Sequence, residues 1–466
     1  MNKSYKVESY KVIKLKVKRC RFSFNFQLYN FQLSTQKIMI AFFFILAGTS
    51  YSETVHHLTL QEAVRIGLKN SRELTIANLQ LEQTKASLKE TLSQVYPEFT
   101  GNINSSYNKL EKIKSPDSIE GYSNNLSISL NQILWTGGKV TNAIKCADKE
   151  IKISLLKIEE VKNEVIYKIV TFYWNLKKAV ELKKACEKRV DYAGSIMDIA
   201  SARYKEGLIP ELETMKQEVN LACAKEELTK ASCREKMAKD NLRSLLKIEG
   251  EINIKDEPAF VPLRVNEKEI VSEAMTNNPE IAGKEAETKS KKLQIKIVRA
   301  DYLPKVNLIG GYNWSGEDRE GFKKSLDEVS EDSWTTGINI EIPIFNGFYT
   351  ASRVKEAEIT YKQAEENHNG LKDKITLETK EILAGLLEAE ERVRVSEKNK
   401  GLGNEILRVT KVRYELGKAT ISEVKEAEET FIRSSTMQIE AMIDYELCMM
   451  NLLRITGKIG EIFEEK

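Results

Sequence analysis

Over residues 138–204 apolar side chains recur in alternating steps of three and four. The series runs Ile151, Leu155, Ile158, Lys162, Val165, Ile169, Phe172, Leu176, Ala179, Lys183, Cys186, Val190, Ala193, Met197, Ala200, Tyr204, and only the two lysines interrupt it. No proline falls in this span, and Gly194 is its one internal glycine. A seven-residue repeat held this long predicts a helix packed as a coiled coil. At 1.5 Å per residue it is roughly 100 Å long, too long to fold into a compact globule. The helix should stop at Gly207, which suits a left-handed C-terminal turn, and Pro210 suits the first turn of the next helix. A return helix over about 211–247 carries Leu221, Leu228, Leu242 and Leu245 for packing back on the outgoing one. By itself this hairpin reads equally as part of a cytoplasmic rod.

The segment before the long helix follows a different period. Thr59, with Glu62 three residues on, forms a capping box for a helix that reaches about residue 95. That helix stops at Tyr96-Pro97, where the residue before proline leaves the helical region. Phe99, Gly101, Ile103, Ser105 and Tyr107 then alternate with Thr100, Asn102, Asn104 and Ser106. After a polar stretch over 108–122, Leu126, Ile128 and Leu130 alternate with Ser127, Ser129 and Asn131. Two strands with one apolar and one Asn/Ser/Thr face suit a membrane hairpin whose inner face meets water. A soluble hairpin with one buried face has the same pattern.

The whole plan then recurs about 210 residues later, and such self-similarity marks a structural repeat. Asn277-Asn278-Pro279 answers Asn70-Ser71-Arg72, Leu303-Pro304 answers Tyr96-Pro97, and Arg413-Tyr414-Glu415-Leu416-Gly417 answers Arg203-Tyr204-Lys205-Glu206-Gly207. The expected first repeat is 53–249, with strands about 98–108 and 124–134, a long helix about 138–205 and a tip at 206–210. A linker with Pro258 and Pro262 follows over 250–265. The expected second repeat is 266–457, with strands about 305–314 and 334–343, a long helix about 348–415 and a tip at 416–420. A tail, 458–466, completes the chain. Both hairpins lie at the same end, because both long helices run from hairpin to tip. Four strands cannot seal a barrel in lipid, where an open edge leaves backbone groups unsatisfied. Three copies would give twelve strands; two would give eight, whose interior fills with side chains.

Charge changes the compartment. Residues 1–52 hold nine Lys/Arg against Glu8 alone, leaving 63 basic and 68 acidic residues in the remainder. With the basic excess confined to the leader, no nucleic-acid partner is indicated. The apolar run over 38–48 follows Lys37 and precedes small residues at Ser50 and Ser52, as in a secretory signal peptide; it is too short to span a bilayer. The six cysteines include no CxxC spacing, so neither a metal site nor a disulfide framework is expected. His56-His57 reads as a solvated entry segment. His368 lies on the seam Val354, Ala357, Tyr361, Ala364, Leu371, Ile375 and reads as a packing residue. No phosphate-binding glycine loop, HExxH or nucleophile elbow occurs, so no enzyme and no cofactor are expected.

In order, spacing and duplication these motifs resemble the TolC family of outer-membrane efflux proteins. The resemblance covers residues 58–457. It rests on Leu58-Thr59-Leu60-Gln61-Glu62-Ala63 through Asn70, the two proline breaks, Trp135-Thr136-Gly137-Gly138, Phe345-Asn346-Gly347, and the paired Arg-Tyr-x-x-Gly turns. It implies a mainly helical homotrimer: a twelve-stranded β-barrel in outer-membrane lipid and a long coiled-coil tunnel into the periplasm. It also implies a passive exit channel for efflux or type I secretion, opened by a periplasmic adaptor and an inner-membrane pump. The family's gate residues fall on Glu423, Glu426, Glu213 and Tyr414. A gate arginine falls on Ala419, with Lys418 the expected substitute. The adaptor would meet the tip around Arg203, Tyr204, Gly207, Leu208, Arg413, Gly417 and Lys418. Glu423 and Glu426, three apart, share one helix face. Repeated by threefold symmetry they would form a negative ring; two solvated glutamates on an acidic helix have the same pattern. A periplasmic coiled-coil scaffold or adaptor is the alternative function.

Overall fold

A computed structural model describes residues 55–111, 118–263, 266–318, 324, 326 and 329–463. The leader and the proposed cleavage site lie outside the described residues. β1 (Val55–Leu58) pairs in parallel with β4 (Glu251–Ile254). Two helices follow β1, α1 (Leu60–Asn70) and α2 (Arg72–Ser93). Then come β2 (Glu98–Glu111), β3 (Ser118–Trp135), α3 (Lys139–Lys205) and α4 (Glu211–Leu246). The second half carries α5 (Glu267–Asn277), α6 (Pro279–Arg299), β5 (Lys305–Asp318), β6 (Val329–Glu341), α7 (Tyr349–Glu415), α8 (Ile421–Ile455) and a short α9 (Ile459–Phe463).

Four features depart from the sequence reading. The helix expected over 59–95 is two helices, because Ser71 is extended (ψ 123°) and accepts a hydrogen bond from the Leu74 amide. Asn278 makes the same break in the second half, accepting from the amides of Glu280 and Ile281. The strands also run further than the alternation marks. Asn108, Lys109 and Glu111 face Gly121, Glu120 and Ser118 in regular register, so much of the polar stretch 108–122 is ladder. Its one apolar pair, Leu110 with Ile119, is too little alternation to mark a strand. The His56-His57 entry segment is a strand, β1, with His57 exposed and His56 Nε2 3.0 Å from the Glu249 carbonyl. Lastly, the linker over 250–265 contains β4 and is tied down: Tyr173 donates to Asp256 at 3.0 Å and Tyr445 to the Val261 carbonyl at 2.8 Å.

The four long strands form one antiparallel sheet in the order β2-β3-β5-β6. Directly paired residues share a face. Ile103, Leu126 and Trp314 line up across three strands, and Ile128, Tyr312 and Trp334 across another three. On the opposite face Asn102, Ser127, Asn313 and Ser333 line up. The apolar face is open: Ile103 is 83% and Trp334 76% exposed.

The helices make an open layer as well. In the half nearest the tip, neighbours run α4-α3-α8-α7; in the half nearest the strands they run α2-α3-α6-α7. A buried cluster of Ile166, Ile169, Tyr173 and Leu176 with Leu242, Leu246, Ile252 and Ile443 holds the middle. Of the two lysines on the α3 seam, Lys183 reaches Glu235 of α4 at 3.0 Å, so the interruption becomes an ion pair between the helices.

His368 is partly buried against α6, and its Nε2 has no partner. Burial, with Lys372 and Lys289 against an opposing Glu285, holds its pKa below the ordinary value. A base with a depressed folded pKa binds fewer protons folded than unfolded, so acid weakens the fold as pH falls through the unfolded value near about 6.5. Substitution by Gln is expected to flatten the loss of stability between about pH 6.5 and 5, measured by denaturant midpoints across that range.

Candidate functional site at the helical tip

Both helical hairpins turn in the same way. At the first, Gly207 (φ +71°) donates its amide to the Tyr204 carbonyl and Leu208 to the Arg203 carbonyl, both at 2.9 Å. At the second, Gly417 (φ +68°) donates to Tyr414 at 2.9 Å and Lys418 to Arg413 at 2.7 Å. These are paired 5→2 and 6→1 bonds, a Schellman stop that needs the left-handed glycine. The turns leave Tyr204, Leu208, Tyr414 and Leu416 exposed. The next helices start differently. Pro210 caps α4 without a side-chain bond, whereas Thr420 caps α8 through its hydroxyl, which accepts from the Glu423 amide at 3.3 Å.

The expected site residues separate into two groups. Arg413, Lys418 and Glu423 come together: Arg413 Nη2 donates to the Lys418 carbonyl at 3.2 Å and lies 3.9 Å from a Glu423 oxygen. Thr420 Oγ1 donates to the same carboxylate at 3.3 Å. The cation beside Glu423 is therefore Arg413, and Lys418 takes part through its backbone. With both side chains about half exposed, that ion pair adds little to stability. Glu213 instead pairs with Lys216 on its own helix at 2.7 Å. Glu426 is exposed on α8 and faces Tyr192 of α3, whose pKa is raised by burial and by the charges of Glu429 and Glu426.

Just above the tip lies a set of residues that sequence pattern did not single out. Arg189 of α3 pairs with Glu227 of α4 and, at 3.5 Å, with Glu429 of α8. It thus ties the two hairpins together. Between them opens a cavity of about 790 Å³, lined in part by Cys186, Tyr192, Lys411, Glu428 and Phe431. Burial resists ionisation of Glu428, but Lys425 and Lys411 outweigh it and hold the carboxyl below its usual value. Further up, Asp444 of α8 bridges Lys178 of α3 (3.3 Å) and Arg392 of α7 (2.8 Å). These charges flank the seams, where an even spread of Lys and Glu gives periodicity nothing to select.

Among the described residues no cluster of His, Cys, Asp and Glu is arranged for a metal ion, and the five described cysteines are free. No described helix is long and apolar enough to cross a membrane; the apolar surface at the strand end belongs to the sheet. A duplicated strand pair on duplicated helical hairpins, with one exposed apolar sheet face, is the plan of a channel subunit.

The sequence matches the family profile "Outer membrane efflux protein" over residues 64–246 and 270–458, and the chain belongs to that family of outer-membrane channel proteins. Relatives include the Toxin and drug export protein A of Aggregatibacter actinomycetemcomitans, 22% identical over 66% of each chain. Another is the Outer membrane efflux protein BepC of Brucella suis, 19% identical over 91% of each. The alignments with the first three curated relatives span between 38% and 66% of those proteins' lengths. The fold is shared with the crystal structure of the CmeC outer membrane channel of Campylobacter jejuni, at a TM-score of 0.71, 20% identity and 86% coverage of each chain.

Proposed function

We propose that the chain is the outer-membrane exit duct of an export assembly, closed by three copies and driven by a separate inner-membrane pump through a periplasmic adaptor. The observation that carries this reading is the sheet: four long strands, one apolar face, and edges at β2 and β6 that no strand among the described residues pairs. In lipid such edges must be closed by other copies, and three give a twelve-stranded barrel. The polar face of Asn102, Ser127, Asn313 and Ser333 then lines the water path. The helices carry the path away from the membrane to the tip, where the adaptor meets the exposed turns around Arg203, Tyr204, Gly207, Leu208, Arg413, Gly417 and Lys418. Relatives described as exporting toxins, drugs and pyoverdine support an export role.

The tip is the gate in this reading. Glu423 and Glu426 of three copies form the acidic constriction, with Glu213 and Tyr414 beside it. A ring of carboxylates concentrates cations and repels anions at close range. Replacing Glu423 and Glu426 together by Ala should lower the cation-to-anion permeability ratio of reconstituted channels several-fold. Reversal potentials across a salt gradient measure it. An unchanged ratio would remove these residues from the gate.

A further inference from the structure

The segment that joins the two repeats lies as a strap across the seam between α3 and α8. On the α3 side Tyr173 donates to Asp256 at 3.0 Å, and the buried Lys177 reaches Glu257 at 2.5 Å. Asp256 also accepts from the Leu60 amide, which opens α1, at 2.6 Å. On the α8 side Tyr445 donates to the Val261 carbonyl at 2.8 Å and meets Phe260 edge-on, with ring centroids 4.9 Å apart. The next residue, Glu446, accepts a hydrogen bond from the Ala259 amide. Lys178 and Asp444, the chain neighbours of Lys177 and Tyr445, pair across the seam at 3.3 Å, so both ends of the strap sit at one level of the rod.

The two ends differ in chemistry. An ion pair closes the α3 end. At the α8 end no charged side chain among the described residues bears on Glu446. The charged groups around it are engaged elsewhere: Asp444 with Lys178 and Arg392, Glu390 of α7 with Arg394, Asp256 with Tyr173, and Glu257 with Lys177. Three and four residues from Glu446 along α8 stand Met442, Ile443, Met449 and Met450, none of which can donate a hydrogen bond to a carboxylate.

We propose that Glu446 is a proton-operated latch on this strap: uncharged, it seats the strap on α8; charged, it turns out to water and frees that end. Burial pushes the Glu446 carboxyl up, and the Ala259 amide offsets only part of the rise. A carboxyl raised on folding binds more protons folded than unfolded. Its contribution is complete below the unfolded value near about 4.3 and is lost as pH rises through the folded one. Once the charged side chain leaves, the Ala259 amide has lost its acceptor and Tyr445 alone holds the α8 end. A strap fixed at both ends binds the first helical hairpin to the second at mid-length; fixed on α3 alone, it leaves them freer to part. The latch belongs to the fold of one chain and does not depend on the closure by copies proposed above.

Hydrogen exchange of the detergent-extracted full chain, read by mass on peptides covering 255–263, tests it. With times corrected for intrinsic exchange, the amides of Ala259, Phe260 and Val261 should exchange several-fold more slowly at about pH 5 than at about pH 8. Glu446→Gln should exchange at one corrected rate at both pH values. Glu446→Met, of similar length and without a titrating group, takes its place should the first variant fail to fold. Equal protection at the two pH values in the unaltered chain, stronger protection at the higher one, or a pH difference that survives the substitution overturns the latch. Each of these outcomes is read whether the material sizes as one copy or three, so the duct reading stands or falls separately.

Discussion

Placing an arginine at Ile128 is expected to abolish assembly in the outer membrane, whereas an arginine at the adjacent Ser127 is expected to leave assembly intact. The two residues are neighbours on β3, the strand interior to the sheet, and differ only in face. Ile128 stands beside Gly101 and Tyr312 on the apolar side; Ser127 stands beside Asn102 and Asn313 on the polar side. A guanidinium on the lipid side of a barrel costs about 2–4 kcal/mol near the bilayer midplane, and three copies incur it together. On the water side the same group stays hydrated and changes only the potential of the lumen. Density-gradient separation of membranes, with the amount of heat-resistant oligomer, reads the first effect. A shift of reversal potential toward anions reads the second. Equal loss from both variants would mean that the sheet has no lipid side.

The second large effect is expected at Gly457, in the turn after α8. Its φ is +74°, and a Cβ there would lie 2.5 Å from the Asn277 carbonyl oxygen. That carbonyl ends α5 at the Asn278 break, where the Asn278 side chain also donates to the Ile455 carbonyl at 2.9 Å. Gly457→Ala thus combines left-handed strain of about 1–2 kcal/mol with overpacking of about 1–3 kcal/mol against backbone that cannot yield. The denaturant midpoint should fall accordingly. Gly401→Ala is the contrasting case. It lies mid-helix on an exposed face of α7 with nothing within 4 Å of a built Cβ, and should raise stability by about 0.5–1 kcal/mol.

The long elements were legible because their signals are long. A seven-residue seam over α3, alternation over β2 and β3, and the recurrence of both could be read without coordinates. Side-chain caps were harder to see: Ser71 and Asn278 break helices with a single extended residue, which leaves no mark on hydrophobic periodicity. The strand ends were hidden for a related reason, since Asn108 to Glu111 offers Leu110 as its one apolar residue and the ladder pairing defines it. At the tip the resemblance indicated the acids, whereas the contacts of Arg413 with the Lys418 carbonyl and with Glu423 form across a turn and leave no mark on residue spacing. The Arg189 link between hairpins depends on three helices meeting at one level, a fact of packing that no single helix encodes.

In the proposed assembly, lipid-facing sheets from several copies close one conducting pore. Native mass measurement of protein extracted from membranes in detergent, followed by conductance recording of that same fraction in planar bilayers, tests it most directly. The expected result is a three-copy particle, released only by detergent, that opens ion-conducting channels. A one-copy particle that stays in solution without detergent and leaves the bilayer silent would contradict it.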